Sequence, residues 1–122
     1  MTLRMLVLGC AIAATTGVAA SQEVSLRPSF AVAFAPANLV VRTSVEPNAD
    51  NRAIEIVADA GDFYRSSMME LEGDRAPKTT LFEFRSLPPG DYQVTATVIG
   101  ADGRRRAVAR AHVNVVASAT SH

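Results

Sequence analysis

A Pro-Gly turn that leads straight into an alternating strand constrains this chain more than any other feature. The turn occupies residues 87–92, Leu-Pro-Pro-Gly-Asp-Tyr, and the strand continues from there to Val98. Pro89 presets φ, and Gly90 can adopt the positive φ that a tight turn needs. Tyr92 then opens a run in which apolar residues recur at every second position. The pattern predicts an antiparallel β-sandwich with a tyrosine corner.

The first 20 residues have the composition of a signal peptide. Arg4 supplies the positive charge, an apolar stretch follows from Met5 to Ala14, and Val18-Ala19-Ala20 offers small residues for cleavage. The apolar stretch is shorter than the roughly 20 residues of a membrane span. We therefore expect cleavage near Ala20, a periplasmic or secreted domain over residues 21–122, and no stable membrane anchor. The alternative is a lipoprotein cleavage box at Cys10, the single cysteine of the chain.

The charge balance limits the class of partner. Eleven basic and twelve acidic residues follow residue 20, which gives the mature chain a net charge of −1. A nucleic-acid-binding domain is usually strongly basic, so we expect no nucleic-acid partner. Arg104, Arg105, Arg106 and Arg110 nevertheless lie close together. They are explained either as solvated turn and outer-face residues or as a surface that docks an acidic partner or an anionic envelope polymer.

Alternating patterns and turn signals predict about seven strands, which suits one domain of this size. Residues 63–71 favour a strand by their position between other strands, although their Met, Glu and Leu content leaves a helix open. Asp102-Gly103 is a hairpin signal before the last strand. The predicted strands are 29–34, 37–45, 52–59, 63–71, 78–85, 92–100 and 107–116.

The corner and the strand after it resemble the end of fibronectin type III, bacterial immunoglobulin-like and carboxypeptidase-regulatory-like domains. Those families open a late strand with Leu-x-Pro-Gly-x-Tyr, and the matching residues here are Leu87, Pro89, Gly90 and Tyr92. The resemblance covers about the last third of the chain. It implies an immunoglobulin-like sandwich and says little about activity, because such folds carry many unrelated functions.

The sequence contains few residues that could form a catalytic or metal-binding site. The domain has no cysteine, and its histidines are His112, on the outer face of the last strand, and the terminal His122. We therefore expect no enzyme activity and no cofactor. Calcium could use the Asp and Asn residues of the turns at 48–51 and 59–62, although local backbone hydrogen bonds explain them already. Copper at Met68-Met69 is disfavoured because adjacent strand residues point to opposite faces.

Binding is the remaining function. Tyr64 and Arg65 follow a Gly-Asp turn and could anchor a partner or stack on a sugar, whereas Phe63 fits the core. We predict a binding site built from Tyr64, Arg65, Arg104, Arg105 and Arg106, at one end of the domain. Replacing the three consecutive arginines is expected to leave the melting temperature nearly unchanged. The leading hypothesis is an envelope protein–protein interaction module, and the alternative is a carbohydrate- or metal-binding accessory protein.

Overall fold

Eight strands form two sheets in the computed structural model, which describes residues 23–118. The small sheet has the order β1-β3-β6 and the large sheet the order β2-β8-β7-β4-β5. No helix within residues 23–118 is long and apolar enough to cross a membrane. The strands are β1 Val24–Pro28, β2 Val32–Phe34, β3 Ala37–Val45, β4 Asn51–Asp59, β5 Tyr64–Glu70, β6 Thr79–Leu87, β7 Gly90–Gly100 and β8 Arg105–Val116, with a 3-10 turn at Gly73–Arg75.

The core lies between the two sheets and is built by alternation along the strands. In β7 every second residue from Tyr92 to Val98 is buried, as the sequence predicts. Ile54, Ile56 and Ala58 of β4 lie beside them on the same inner face, Leu39 and Val41 of β3 belong to the opposing sheet, and none of the five has exposed surface. Apolar burial on both inner faces therefore holds the sheets together.

The chain changes sheets near its start. β1 pairs antiparallel with β3 in the small sheet, whereas β2 pairs with β8 of the large sheet. The β2–β8 pairing is parallel, and the other strand pairings are antiparallel. Backbone hydrogen bonds extend the parallel pair at both ends, from the Asn114 N–H to the Ala31 carbonyl (2.8 Å) and from the Ala35 N–H to the Val116 carbonyl (2.8 Å).

The tyrosine corner is present. Tyr92 is fully buried, and its hydroxyl donates a hydrogen bond of 2.8 Å to the carbonyl of Pro88. The turn chemistry differs from the prediction in one respect, because Gly90 does not have a positive φ. A Cβ at Gly90 would lie 3.0 Å from the Ala60 Cβ and 3.3 Å from the Tyr92 ring. Glycine is thus favoured there by close packing rather than by backbone conformation, since a larger residue would make Ala60 or the Tyr92 ring shift.

The left-handed residue at this turn is Ser86, which has a φ of 58°. It lies where the pairing of β3 with β6 shifts register, and its N–H donates to the Asn38 side chain (3.0 Å). A bulge with a polar side-chain partner accommodates this conformation in a non-glycine residue.

The seven predicted strands are all present, and one strand was not predicted. β1, residues 24–28, precedes the first expected strand, which is itself reduced to the three residues of β2. Residues 64–70 form a strand, which resolves the helix alternative. At the last hairpin Gly103 has a φ of 81°, as its turn signal predicts. The predicted signal peptide and Cys10 lie outside the described residues.

Candidate functional site

Tyr64 and Arg65 open β5, one of the two edge strands of the large sheet. Tyr64 is 58% exposed. The Arg65 guanidinium lies 5.2 Å from the centre of the Phe63 ring, and its Nη1 donates to the Arg85 carbonyl at 3.4 Å. Phe63 in turn meets Tyr92 edge-on, with ring centres 6.2 Å apart. Phe63 therefore belongs to the rim of the core, and its ring orients Arg65 by a cation–π contact.

The same surroundings perturb the phenol of Tyr92. Burial disfavours the phenolate and raises the pKa of Tyr92 above its usual value. The negative charge of Asp62 adds to this rise, while the positive charge of Arg65 opposes it. The corner hydroxyl thus stays protonated and keeps its hydrogen bond to Pro88 across the physiological pH range.

The three consecutive arginines have three different environments. Arg104 is exposed and lies 4.0 Å from the Asp102 carboxylate. Arg105 is the first residue of β8 and is exposed. Arg106 lies at a register shift between β7 and β8, and 19% of its side chain is exposed.

Arg106 is held by several groups of its own chain. Its Nη1 donates to the side-chain oxygen of Asn51 at 2.9 Å and lies 3.2 Å from the Glu23 carboxylate. Its Nε lies 3.3 Å from the Asp50 carboxylate. Asp50 also accepts a hydrogen bond from the Ala101 N–H. We call these four side chains the Arg106 cluster. The guanidinium joins the chain before β1, the β3–β4 turn and β8, so the prediction that Arg106 is an exposed turn charge is wrong.

The predicted binding residues do not share one end of the domain. Tyr64 is opposite Asp59 of β4. Arg105 is opposite Ile99 of β7, and Ile99 is opposite Ala53 of β4. Ala53 is in turn opposite Glu70, at the other end of β5 from Tyr64. These two positions are six residues apart on β5, or about 20 Å along the strands. The prediction of a single surface is wrong, because the hairpin of β7 and β8 turns at the opposite end of the sheet from the start of β5.

β5 offers a free strand edge. It pairs with β4 on one side, and no strand within residues 23–118 pairs with its other side. Tyr64 and Met68, on the same face, are 58% and 57% exposed. The segment contains neither proline nor lysine, two residues that commonly protect such edges, and its charged residues, Arg65 and Glu70, lie near its two ends. By contrast, β2 has three residues, β1 ends at Pro28, and β6 carries the Glu83–Arg85 ion pair.

A second feature was missed by the sequence reasoning. A groove open to solvent on the outer face of the small sheet has a volume of about 670 Å³. We call it the arginine groove. Its lining consists of the polar residues Ser25, Arg27, Ser29, Arg42 and Ser44 and the apolar residues Leu26, Pro28, Val40 and Leu81. Residues 24–28 alternate apolar and polar, which is the signal that could have revealed β1 and placed Arg27 on an outer face.

The turns that could have bound calcium use their side chains locally. The Asn48 side chain accepts from the Asp50 N–H at 2.8 Å, and Asp59 accepts from the Gly61 N–H at 2.9 Å. Within residues 23–118 no group of three or more His, Cys, Asp or Glu side chains could hold a metal ion. His112 is exposed and lies 2.8 Å from the Asp91 carboxylate. These local partners account for Asn48 and Asp59 as turn residues.

Comparison with known proteins supports the fold. No protein-family model matches this chain, and no curated protein matches it in sequence. Two solved structures are similar in architecture, each at 18% sequence identity. One is the CARDB domain of a Pyrococcus furiosus protein in complex with di-metal ions, with a TM-score of 0.50 over 85% of this chain and 100% of that chain. The fold is an immunoglobulin-like β-sandwich.

The other similar structure is a family 76 glycoside hydrolase from a bovine Bacteroides thetaiotaomicron strain, with a TM-score of 0.53. The match covers 75% of this chain and spans 20% of that chain. At this identity both similarities concern the arrangement of strands and not the residues of a site.

Proposed function

We propose that this chain is a non-catalytic, exported binding module that docks a protein partner of the cell envelope along β5. The observation that carries the proposal is the free edge of β5, where Tyr64 and Met68 stand exposed on one face. A free strand edge presents unpaired backbone N–H and C=O groups, to which an extended segment of a partner can add as a further strand.

The side chains of β5 would supply the specificity of such a strand addition. Tyr64 and Met68 are large and apolar enough to anchor alternate side chains of the added strand. Arg65, held over the Phe63 ring at the start of β5, provides a positive charge that favours an acidic residue in the partner. Arg104 and Arg105 lie outside this surface, so only part of the site predicted from sequence enters the proposal.

The alternative roles rest on other features. A metal-binding accessory role is not favoured by residues 23–118, in which no cluster of metal-ligating side chains is found. A carbohydrate-binding role would use a different surface, the arginine groove.

On the basis of the Leu-x-Pro-Gly-x-Tyr element, we also propose a relationship to fibronectin type III-like and carboxypeptidase-regulatory-like domains.

Site-specific photo-cross-linking in the cells that produce the protein tests the proposal. A photoreactive phenylalanine analogue replaces Met68 in the full chain, and the matched control carries it at Val32, which is 64% exposed on the opposite edge of the large sheet. We expect a cross-linked envelope protein from position 68 and none from position 32. Equal products at both positions would contradict the proposal, as would a product consisting only of two copies of this chain.

A charge substitution provides the second arm. Ser66→Lys places an ammonium group between Tyr64 and Met68 on the free edge, where lysine opposes strand addition. Ser66 is exposed, so the melting temperature is expected to stay near that of the wild type. Loss of the position 68 cross-link with unchanged melting temperature supports docking along the edge, and an undiminished cross-link argues against it.

A further inference from the structure

Two arginines lie side by side on the floor of the arginine groove. Arg27 of β1 is directly opposite Arg42 of β3, and Arg42 is directly opposite Leu81 of β6. Directly opposed residues in antiparallel strands have Cβ atoms about 5 Å apart. The outer face of the small sheet therefore carries two adjacent positive charges in a single cross-strand row.

This pair lacks the compensation that like charges usually have. Neither Arg27 nor Arg42 has a hydrogen-bond or ion-pair partner among residues 23–118, and the groove lining contains no carboxylate. The acid closest in register is Glu83, opposite Val40, and it is engaged by Arg85 at 3.4 Å. Directly opposed like charges destabilise a sheet, and an anion placed between them would remove that repulsion.

The neighbouring side chains are also hydrogen-bond donors. Ser25 lies opposite Ser44 in the row next to the arginines. On the other side, the Ser29 hydroxyl accepts from the Val40 N–H at 3.1 Å, which leaves its own proton free to donate. The groove thus presents guanidinium and hydroxyl donors around a volume of about 670 Å³, much larger than a single ion needs.

We propose that the arginine groove binds a doubly charged oxyanion, a phosphate monoester carried on a hydroxyl-bearing molecule such as a sugar. Two guanidinium groups with no acid beside them match a charge of −2, whereas a single carboxylate would leave one positive charge uncompensated. The serines would accept and donate hydrogen bonds to the hydroxyl groups of the carrier, and Leu81, 59% exposed, would contact its carbon skeleton.

This site is independent of β5. It lies on the small sheet, while the strand edge of the proposed function belongs to the large sheet. A failure of either proposal therefore leaves the other standing.

Binding titrations on the full exported protein at low salt test the site, with inorganic phosphate, glucose 6-phosphate, glucose and acetate as probes. We expect glucose 6-phosphate to bind at least as tightly as phosphate, and glucose and acetate to bind at least tenfold more weakly. Arg27→Gln and Arg42→Gln should each weaken phosphate binding about tenfold, since each removes a charge-assisted contact. The matched control is Arg104→Gln, an exposed arginine outside the groove, which should leave the affinity unchanged.

The melting temperature without ligand tests whether Arg27 and Arg42 serve to bind an anion or to stabilise the sheet. Replacing Arg27 or Arg42 by glutamine relieves the repulsion in the row, so the melting temperature should be unchanged or slightly higher than in the wild type. The proposal is overturned by phosphate binding that Arg104→Gln weakens as much as Arg27→Gln, by acetate binding as tight as phosphate, or by no binding of phosphate or its ester. A fall in melting temperature in both groove variants would show that the arginines stabilise the sheet and would also overturn it.

Discussion

Replacing Arg106 by serine is expected to destabilise the domain, although the two arginines before it can be replaced without effect. Asn51 is 1% exposed, and its side-chain oxygen accepts a hydrogen bond from Arg106 at 2.9 Å. Removing the donor leaves a buried acceptor unsatisfied, which costs about 1–3 kcal/mol. The carboxylates of Glu23 and Asp50 are half exposed, so their lost ion pairs add under about 1 kcal/mol each.

The expected loss in the free energy of unfolding is therefore about 1–5 kcal/mol. Urea denaturation of wild type, Arg106→Ser and Arg104→Ser measures it, with an unchanged slope required for comparison. Arg104→Ser is the matched control because its side chain is 84% exposed, and no measurable change is expected. Arg106→Lys should fall between the two, since one ammonium group cannot reproduce the guanidinium geometry. Equal stability of the two serine variants would refute a structural role for Arg106.

Three further outcomes are expected. Tyr92→Phe removes the hydrogen bond to the Pro88 carbonyl and should cost about 1–3 kcal/mol in a denaturant melt, and no change would argue against the corner. Because the pKa of Tyr92 is raised in the folded state, its contribution to stability is complete below the usual tyrosine pKa and is lost as the pH rises through the folded value. Above about pH 10, the free energy of unfolding of the wild type should therefore fall more steeply with pH than that of Tyr92→Phe. Denaturant melts at a series of alkaline pH values measure this difference. Intact-mass analysis of exported protein should give a chain that begins at Ser21, and a lipid adduct on Cys10 would show the other processing route.

The sequence predicted the centre of the sandwich well because its strands carry their own signals. In β7 the alternation from Tyr92 to Val98 fixes which face is buried, and a register slip of one residue would expose all of it. The same stretch of sequence also predicted the hydrogen bond from the Tyr92 hydroxyl to the backbone of the turn before it. Local patterns were sufficient here because both the turn and the strand are encoded within a dozen residues.

The candidate site was harder to predict because it depends on contacts between distant segments. The partners of Arg106 come from residues 23, 50 and 51, more than 50 positions away in the chain, and a register shift directs its side chain toward them. The Arg27–Arg42 pair likewise appears only when β1 is paired with β3. Sequence proximity made Arg104, Arg105 and Arg106 look like one group, while the fold gives them different environments.

The parallel pairing of β2 with β8 has a mechanical consequence. The two strands belong to the first and last parts of the domain and run in the same direction, with hydrogen bonds at both ends of the pair. Tension that pulls the chain before β2 away from the chain after β8 acts along both strands in opposite senses. It therefore shears the interstrand hydrogen bonds together instead of opening them one at a time. In a domain tethered at its two ends, this contact would bear the load in shear once β1 has separated from β3.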